Sequence, residues 1–209
     1  MKKMLFLVAA VLLAAPTATF AQKTTVTRVN REKTYKTSSH DLSIWYQGEL
    51  NFGYGLGGKV KYDGEKADAK FSRAFIETVH GVRITQYAFA GMGLGFQYAY
   101  DDKNAVGVKE DGVGMMPIFL DLKGYYPVTE TFAPYVAIDL GYGLPIFGAE
   151  NDGEKLKGGF YASYGIGLNY KKLNFGLGWQ HQGFHYEYEG EKSDGFGVNS
   201  FFVKVGVKF

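Results

Sequence analysis

The chain has 209 residues, 23 Lys and Arg against 21 Asp and Glu, a formal net charge of +2, and no cysteine. Zero cysteines exclude a disulfide scaffold, a zinc–thiolate centre, a cysteine nucleophile and a thiol-linked lipid anchor. A charge this close to neutral gives no reason to expect nucleic acid as a partner, and 17% aromatics with 29 glycines favour strands over a helical bundle.

The first segment reads as a targeting signal. Met1-Lys2-Lys3 gives a positive start, Met4 to Ala15 is an uncharged apolar run, and Pro16 breaks it. Thr19-Phe20-Ala21 then offers small residues at the positions a signal peptidase reads. About a dozen apolar residues are too few to cross a bilayer comfortably as a helix. Residues 1–21 are therefore expected to be a secretory signal peptide, whose loss takes away Lys2 and Lys3 and leaves acids and bases equal. Residues 22–41 are polar, lack apolar periodicity and read as a flexible periplasmic tail.

From Ser43 onward the chain alternates with period two. Ile44, Tyr46, Leu50, Phe52, Tyr54 and Leu56 share one face, while Gln47, Glu49, Asn51, Gly53 and Gly55 share the other. Successive side chains of a strand point to opposite faces, so this is a strand with one polar and one apolar face. The same signal predicts strands near 43–56, 73–85, 87–100, 115–126, 132–147, 159–171, 173–186 and 198–209, with weaker parity in the second and seventh. The links after the second, fourth and sixth strands are short. Those after the first, third, fifth and seventh (57–71, 101–113, 149–158 and 187–195) are long and charged. Short turns alternating with long loops are expected of an up-and-down sheet that crosses a membrane. The predicted fold over 42–209 is all-β: a closed antiparallel up-and-down transmembrane β-barrel of eight strands.

The polar faces combine glycines with isolated charges: Glu49, Glu77, Arg83, Asp121, Lys123, Asp139, Lys204 and Lys208. Four acids meet four bases, as in a narrow interior where buried charges must be paired. Tyr46, Tyr54, Tyr98, Tyr126, Tyr142 and Tyr170 lie toward strand ends on the apolar faces, where interfacial girdles sit. The competing architecture is a secreted lipocalin-like binding barrel, which would bury the apolar faces instead.

Phe201, Val203, Val205, Val207 and Phe209 form one face of the last strand. This pattern resembles the terminal-strand signal by which Gram-negative outer-membrane barrels are recognised for insertion. Glu77-Thr78-Val79-His80-Gly81, the stretch Phe89 to Phe96, Pro117 to Leu122 and Pro134-Tyr135-Val136 resemble the small OmpA/OmpX-like barrels of Bacteroidetes-type bacteria. The resemblance spans roughly 42–209. It implies an outer-membrane location and recognition by the barrel-assembly machinery, and it implies no reaction.

Three functions follow for weighing. The first is a non-enzymatic barrel acting in envelope integrity or surface interaction through its long loops, with outer-membrane lipid, lipopolysaccharide or an unknown extracellular ligand as partner. Those loops hold 14 acids and nine bases, enough to share divalent cations with lipopolysaccharide. The second is an acyl hydrolase of lipid A or phospholipid, with His80, His181 or His185 as base. Barrel deacylases carry a His-x-Ser pair, whereas this chain reads His181-Gln182-Gly183 and His185-Tyr186-Glu187. The third is a pore, for which eight strands leave space only for small water pockets at the glycines. Asp63-Gly64, Asn151-Asp152-Gly153 and Asp194-Gly195 lack the spacing of a calcium loop and read as turns. No cofactor and no metal site is expected. If the last strand carries the insertion signal, Phe209→Ala lowers the amount of assembled barrel in the outer-membrane fraction far more than Phe202→Ala; equal losses would count against the assignment.

Overall fold

The computed structural model describes residues 43–62, 65–101, 112–148, 150–151, 154–188 and 191–209. The expected signal peptide and tail, 1–21 and 22–41, lie outside the described residues. Among those residues every regular element is a strand: β1 (Ile44–Tyr62), β2 (Glu65–Ile84), β3 (Ala88–Asp101), β4 (Val113–Tyr125), β5 (Phe132–Phe147), the two-residue β6 (Glu150–Asn151), β7 (Glu154–Tyr170), β8 (Leu173–Tyr188) and β9 (Glu191–Lys208).

Each long strand pairs antiparallel with its neighbour in sequence, β5 pairs directly with β7, and β6 only extends the start of β7. The circle closes where β1 meets β9, in a ladder from Glu49↔Lys208 to Lys61↔Gly197. A closed circle of eight strands has no free edge, so every ladder hydrogen bond is made within the wall.

The wall is inside out. Side chains such as Phe52, Ile118, Leu140, Ile166, Leu177 and Val205 stand exposed on the outer surface, while Glu49, Asn51, Glu77, Asp121 and Asp139 are buried. A soluble lipocalin-type barrel would bury the first set and wet the second. On β5 the outward row Val136, Ile138, Leu140, Tyr142 and Leu144 covers nine residues, the length a tilted strand needs to cross the hydrocarbon layer.

Both strands of weak parity now have a cause. β2 turns Phe75 and Val79 inward beside Arg73, Glu77 and Arg83, and leaves Thr78 and His80 on the outer face. Each face is chemically mixed, so alternation alone could not sort them. β8 points Asn174, Gln180, Gln182 and Phe184 inward, and Phe175, Leu177, Trp179 and His181 outward.

Three connections expected as long loops are largely strand. The β1–β2 ladder continues to Tyr62↔Glu65, β6 and β7 pair at Asn151↔Glu154, and β8–β9 reaches Tyr188↔Glu191. Backbone pairing carries these hairpins past the apolar belt, where side-chain alternation no longer marks a strand. The fourth, residues 102–111, lies outside the described residues. At the opposite end the turns are tight: Thr85 and Lys171 adopt left-handed φ of 58° and 55°, and their amides bind the carbonyls of Ser43 and Thr131 at 2.7 Å.

An apolar core sits inside the lumen, made by Val79, Phe89, Phe119, Tyr125, Tyr135, Ala137 and Tyr161. Glycines expected to leave small water pockets are instead covered. The Phe119 ring lies over Gly93, where a Cβ would come within 2.2 Å of it, and the Phe75 ring covers Gly53 in the same way. Gly93→Val should therefore drive Phe119 off its seat and destabilise the barrel by about 1–3 kcal/mol, the usual range for overpacking. The check is urea unfolding in lipid vesicles, and a midpoint unchanged from wild type would count against this packing.

Candidate functional site

The chemistry-bearing residues of this chain are gathered in the lumen, and period two puts them there. Glu49 on β1, Glu77 and Arg83 on β2, Asp121 and Lys123 on β4, Asp139 on β5 and Lys204 on β9 are all buried on the inner face. Lys208 points the same way but is only partly covered, at the turn end.

Near the turn end, Lys123 Nζ lies 2.7 Å from Glu49 Oε2 and 2.7 Å from Asp121 Oδ2. The second is a charge contact rather than an aligned hydrogen bond. Gln47 donates to Glu49 Oε1 at 2.8 Å and accepts from Arg83 Nη1 at 3.2 Å. Arg83 also donates to the Gln86 carbonyl at 2.8 Å, and its guanidinium lies 3.7 Å over the Tyr125 ring. One step up the lumen, Lys204 Nζ is 2.7 Å from Glu77 Oε1, which also accepts from Asn51 at 3.2 Å. Asn174 donates to Asn51 Oδ1 at 2.8 Å. Ser163 donates to Asp139 Oδ2 at 2.5 Å, leaving Asp139 without a cation at ion-pair distance among the described residues. Toward the loop end, Gln180 on β8 donates to Gln97 on β3 at 3.1 Å, a bond between opposite sides of the circle.

The sequence reading missed Arg73. It lies buried on the inner face of β2, in phase with Glu77 and Arg83, so the parity of those two residues was the available signal. The uncharged inner layer of Gln180, Gln182, Asn174 and Ser200 was likewise absent from the expected network.

The outer face holds the other predicted set. Phe201, Val203, Val205, Val207 and Phe209 all lie on the lipid-facing side of β9. Phe209 joins β1 through paired backbone hydrogen bonds with Gly48, 2.8 Å from its carbonyl and 3.0 Å from its amide. Its ring covers Gly48, where a Cβ would lie 2.4 Å from the nearest ring carbon, and meets the His80 ring edge-on at 6.1 Å.

The histidines take defined places. His80 shares a 2.5 Å hydrogen bond with the Tyr46 hydroxyl through Nδ1 and a 2.9 Å bond with Thr78 through Nε2. His181 faces outward and bonds Asn199 at 2.9 Å, its cross-strand partner. Ser200, the next residue of β9, points into the lumen. The strand pleat thus holds His181 and this serine on opposite sides of the wall. No group of three or more metal-ligating side chains occurs among the described residues.

No protein-family model and no curated protein matches the chain. Solved structures similar to it include Neisserial surface protein A, at 12% identity and a TM-score of 0.48, covering 78% of this chain and 97% of that one. The outer membrane protein OprG from Pseudomonas aeruginosa is similar at 13% identity and a TM-score of 0.47, with 78% and 95% covered. The outer membrane enzyme PagL is similar at 15% identity and 0.44, with 75% and 97% covered. The likeness is one of fold.

Breaking one ion pair tests the lumen network. Lys123→Met should cost about 3–5 kcal/mol, because it strands Glu49 and Asp121 as buried carboxylates. Lys157→Met, which removes an exposed partner of Glu187 at 3.3 Å, should cost less than about 1 kcal/mol. Urea unfolding in vesicles measures both, and similar losses for the two variants would sink the assignment.

Proposed function

We propose that this chain, a closed eight-stranded barrel of the outer-membrane type, works without chemistry of its own as an envelope and surface-interaction protein of the outer membrane. The observation that carries this reading is the filled lumen. Ion pairs, glutamine bridges and aromatic rings occupy the space that a solute path would need, and porins obtain an aqueous channel only with twice as many strands. What remains accessible is the lipid-facing wall and the loop end. The wall includes a shallow apolar groove of about 390 Å³ beside Met92, Ile118, Leu120, Leu140, Tyr142 and Leu144, at the depth of lipid acyl chains.

On this reading the hairpins extended past the apolar belt are the working surface. Their acidic excess would meet lipopolysaccharide through shared divalent cations, or a basic extracellular ligand. Acidic side chains held outside the hydrocarbon layer are well hydrated and exchange cations readily. The signal peptide would supply export, and the Phe209 face of β9 would supply recognition during insertion.

The test pairs assembly with phenotype. In the outer-membrane fraction the unheated protein should migrate differently from the boiled one, as closed barrels do. A variant with 58–69 and 102–111 replaced by short Gly-Ser turns should keep that shift, yet leave cells more sensitive to detergent and to chelation of divalent cations. Unchanged sensitivity would argue against the hairpins as the working surface. Steady ion conductance, or acyl release from lipid A that disappears in His181→Ala, would replace the reading with a pore or an enzyme.

A further inference from the structure

Arg73 is 5% exposed, and neither its Nε nor its Nη2 has a hydrogen-bond partner among the described residues. The other three buried cations have close polar partners: Lys123 with Glu49 and Asp121, Lys204 with Glu77, and Arg83, whose Nε is also unpartnered, with Gln47 and the Gln86 carbonyl, whereas the guanidinium of Arg73 has the Phe75 ring at 5.9 Å. The carboxylate nearest Arg73 along its own strand face is Glu77, already held by Lys204 and Asn51. With Lys208 included, five inward cations face four inward acids among the described residues. A charge left uncompensated in such surroundings is strongly unfavourable.

The register shows where the guanidinium sits. Arg73 lies opposite Gly55, and Gly55 lies opposite Phe202 on β9. The arginine stem lies flat on Gly55, where a Cβ would come within 2.8 Å of Nε, so the glycine is what lets it cross β1. One step toward the turn end, Phe75 crosses Gly53 and meets the Phe202 ring at 6.1 Å. Arg73 crosses in the same direction one step higher, toward the level of Ser200. The Ser200 hydroxyl is 3% exposed and has no hydrogen-bond partner among the described residues. Arg73 on β2 and Ser200 on β9 thus both place a buried donor on the inner face in the loop-side half of the wall.

We propose that this half of the lumen holds a single small anion of halide size, bound by the Arg73 guanidinium and the Ser200 hydroxyl. Donors of this kind, charge-assisted on one side and neutral on the other, suit an anion and would leave a cation repelled. Phe75, Phe202 and the Gln97–Gln180 bridge crowd the same level, which favours a monatomic ion over phosphate or a carboxylate.

Crystals of the full barrel soaked in sodium bromide, with anomalous data at the bromine edge, test the site directly. The expected result is a bromide peak within hydrogen-bond distance of Arg73 Nε or Nη2. Ordered water alone, or a carboxylate from the 102–111 segment seated on the guanidinium, would overturn the proposal. A second measurement follows the temperature at which the unheated band converts to the boiled form, in sodium chloride and in sodium gluconate at equal ionic strength. Wild type should gain stability with chloride in a saturable way, and Arg73→Met should not respond; the same chloride response in both would also overturn it.

Discussion

The wall of this barrel has no edge, and its two faces therefore meet different solvents with no route between them. Closing β1 onto β9 satisfies the backbone on every strand, which in a hydrocarbon layer is a condition for crossing at all. Once the circle is shut, the side chains of odd parity on β1 from Gln47 to Gly55 are committed to a narrow interior and those of even parity to lipid. The lumen chemistry, the apolar belt and the glycine pattern all follow from that commitment.

The interior answers a problem of volume and charge together. Eight strands enclose little more than their own side chains, so rings such as Phe119 and Phe75 lie over Gly93 and Gly53. Between the rings, lysines pair with carboxylates of other strands: Lys123 reaches β1 as well as its own strand, and Lys204 reaches β2 across β1. Buried charge arranged in this way ties distant strands to one register, because a slip of one residue would turn each charge into lipid. The outer face shows a smaller version at the seam, where Phe209 rests on Gly48 against the His80 ring.

Particular residues show how far the chain could be read. On β1 up to Leu56 and on β9 from Phe201 the alternation of large apolar with small or polar residues is clean, and the expected faces are those the structure has. β2 resisted because Phe75 and Val79 belong to the lumen core while Thr78 and His80 face outward. Arg73 was passed over for a related reason: it stands at the edge of a charged stretch, where nothing local separates a solvated arginine from a buried one. The hairpins beyond Leu56, Phe147 and Tyr186 read as loops in the sequence, since their pairing rests on backbone bonds that leave no mark on side-chain pattern.

The amino-acid sequence by itself determined the number of barrel strands, the face each clear strand turns inward, and all the inward charges but Arg73. These are local properties, set by the two-residue repeat of an extended chain. Only the tertiary structure decided which partner each charge takes, that Gln97 meets Gln180 across the lumen, and that Arg73 lies buried without a carboxylate of its own. Such pairings depend on the stagger between strands and on the place where the circle closes. Stagger and closure are properties of the whole wall, carried by no single segment of the chain.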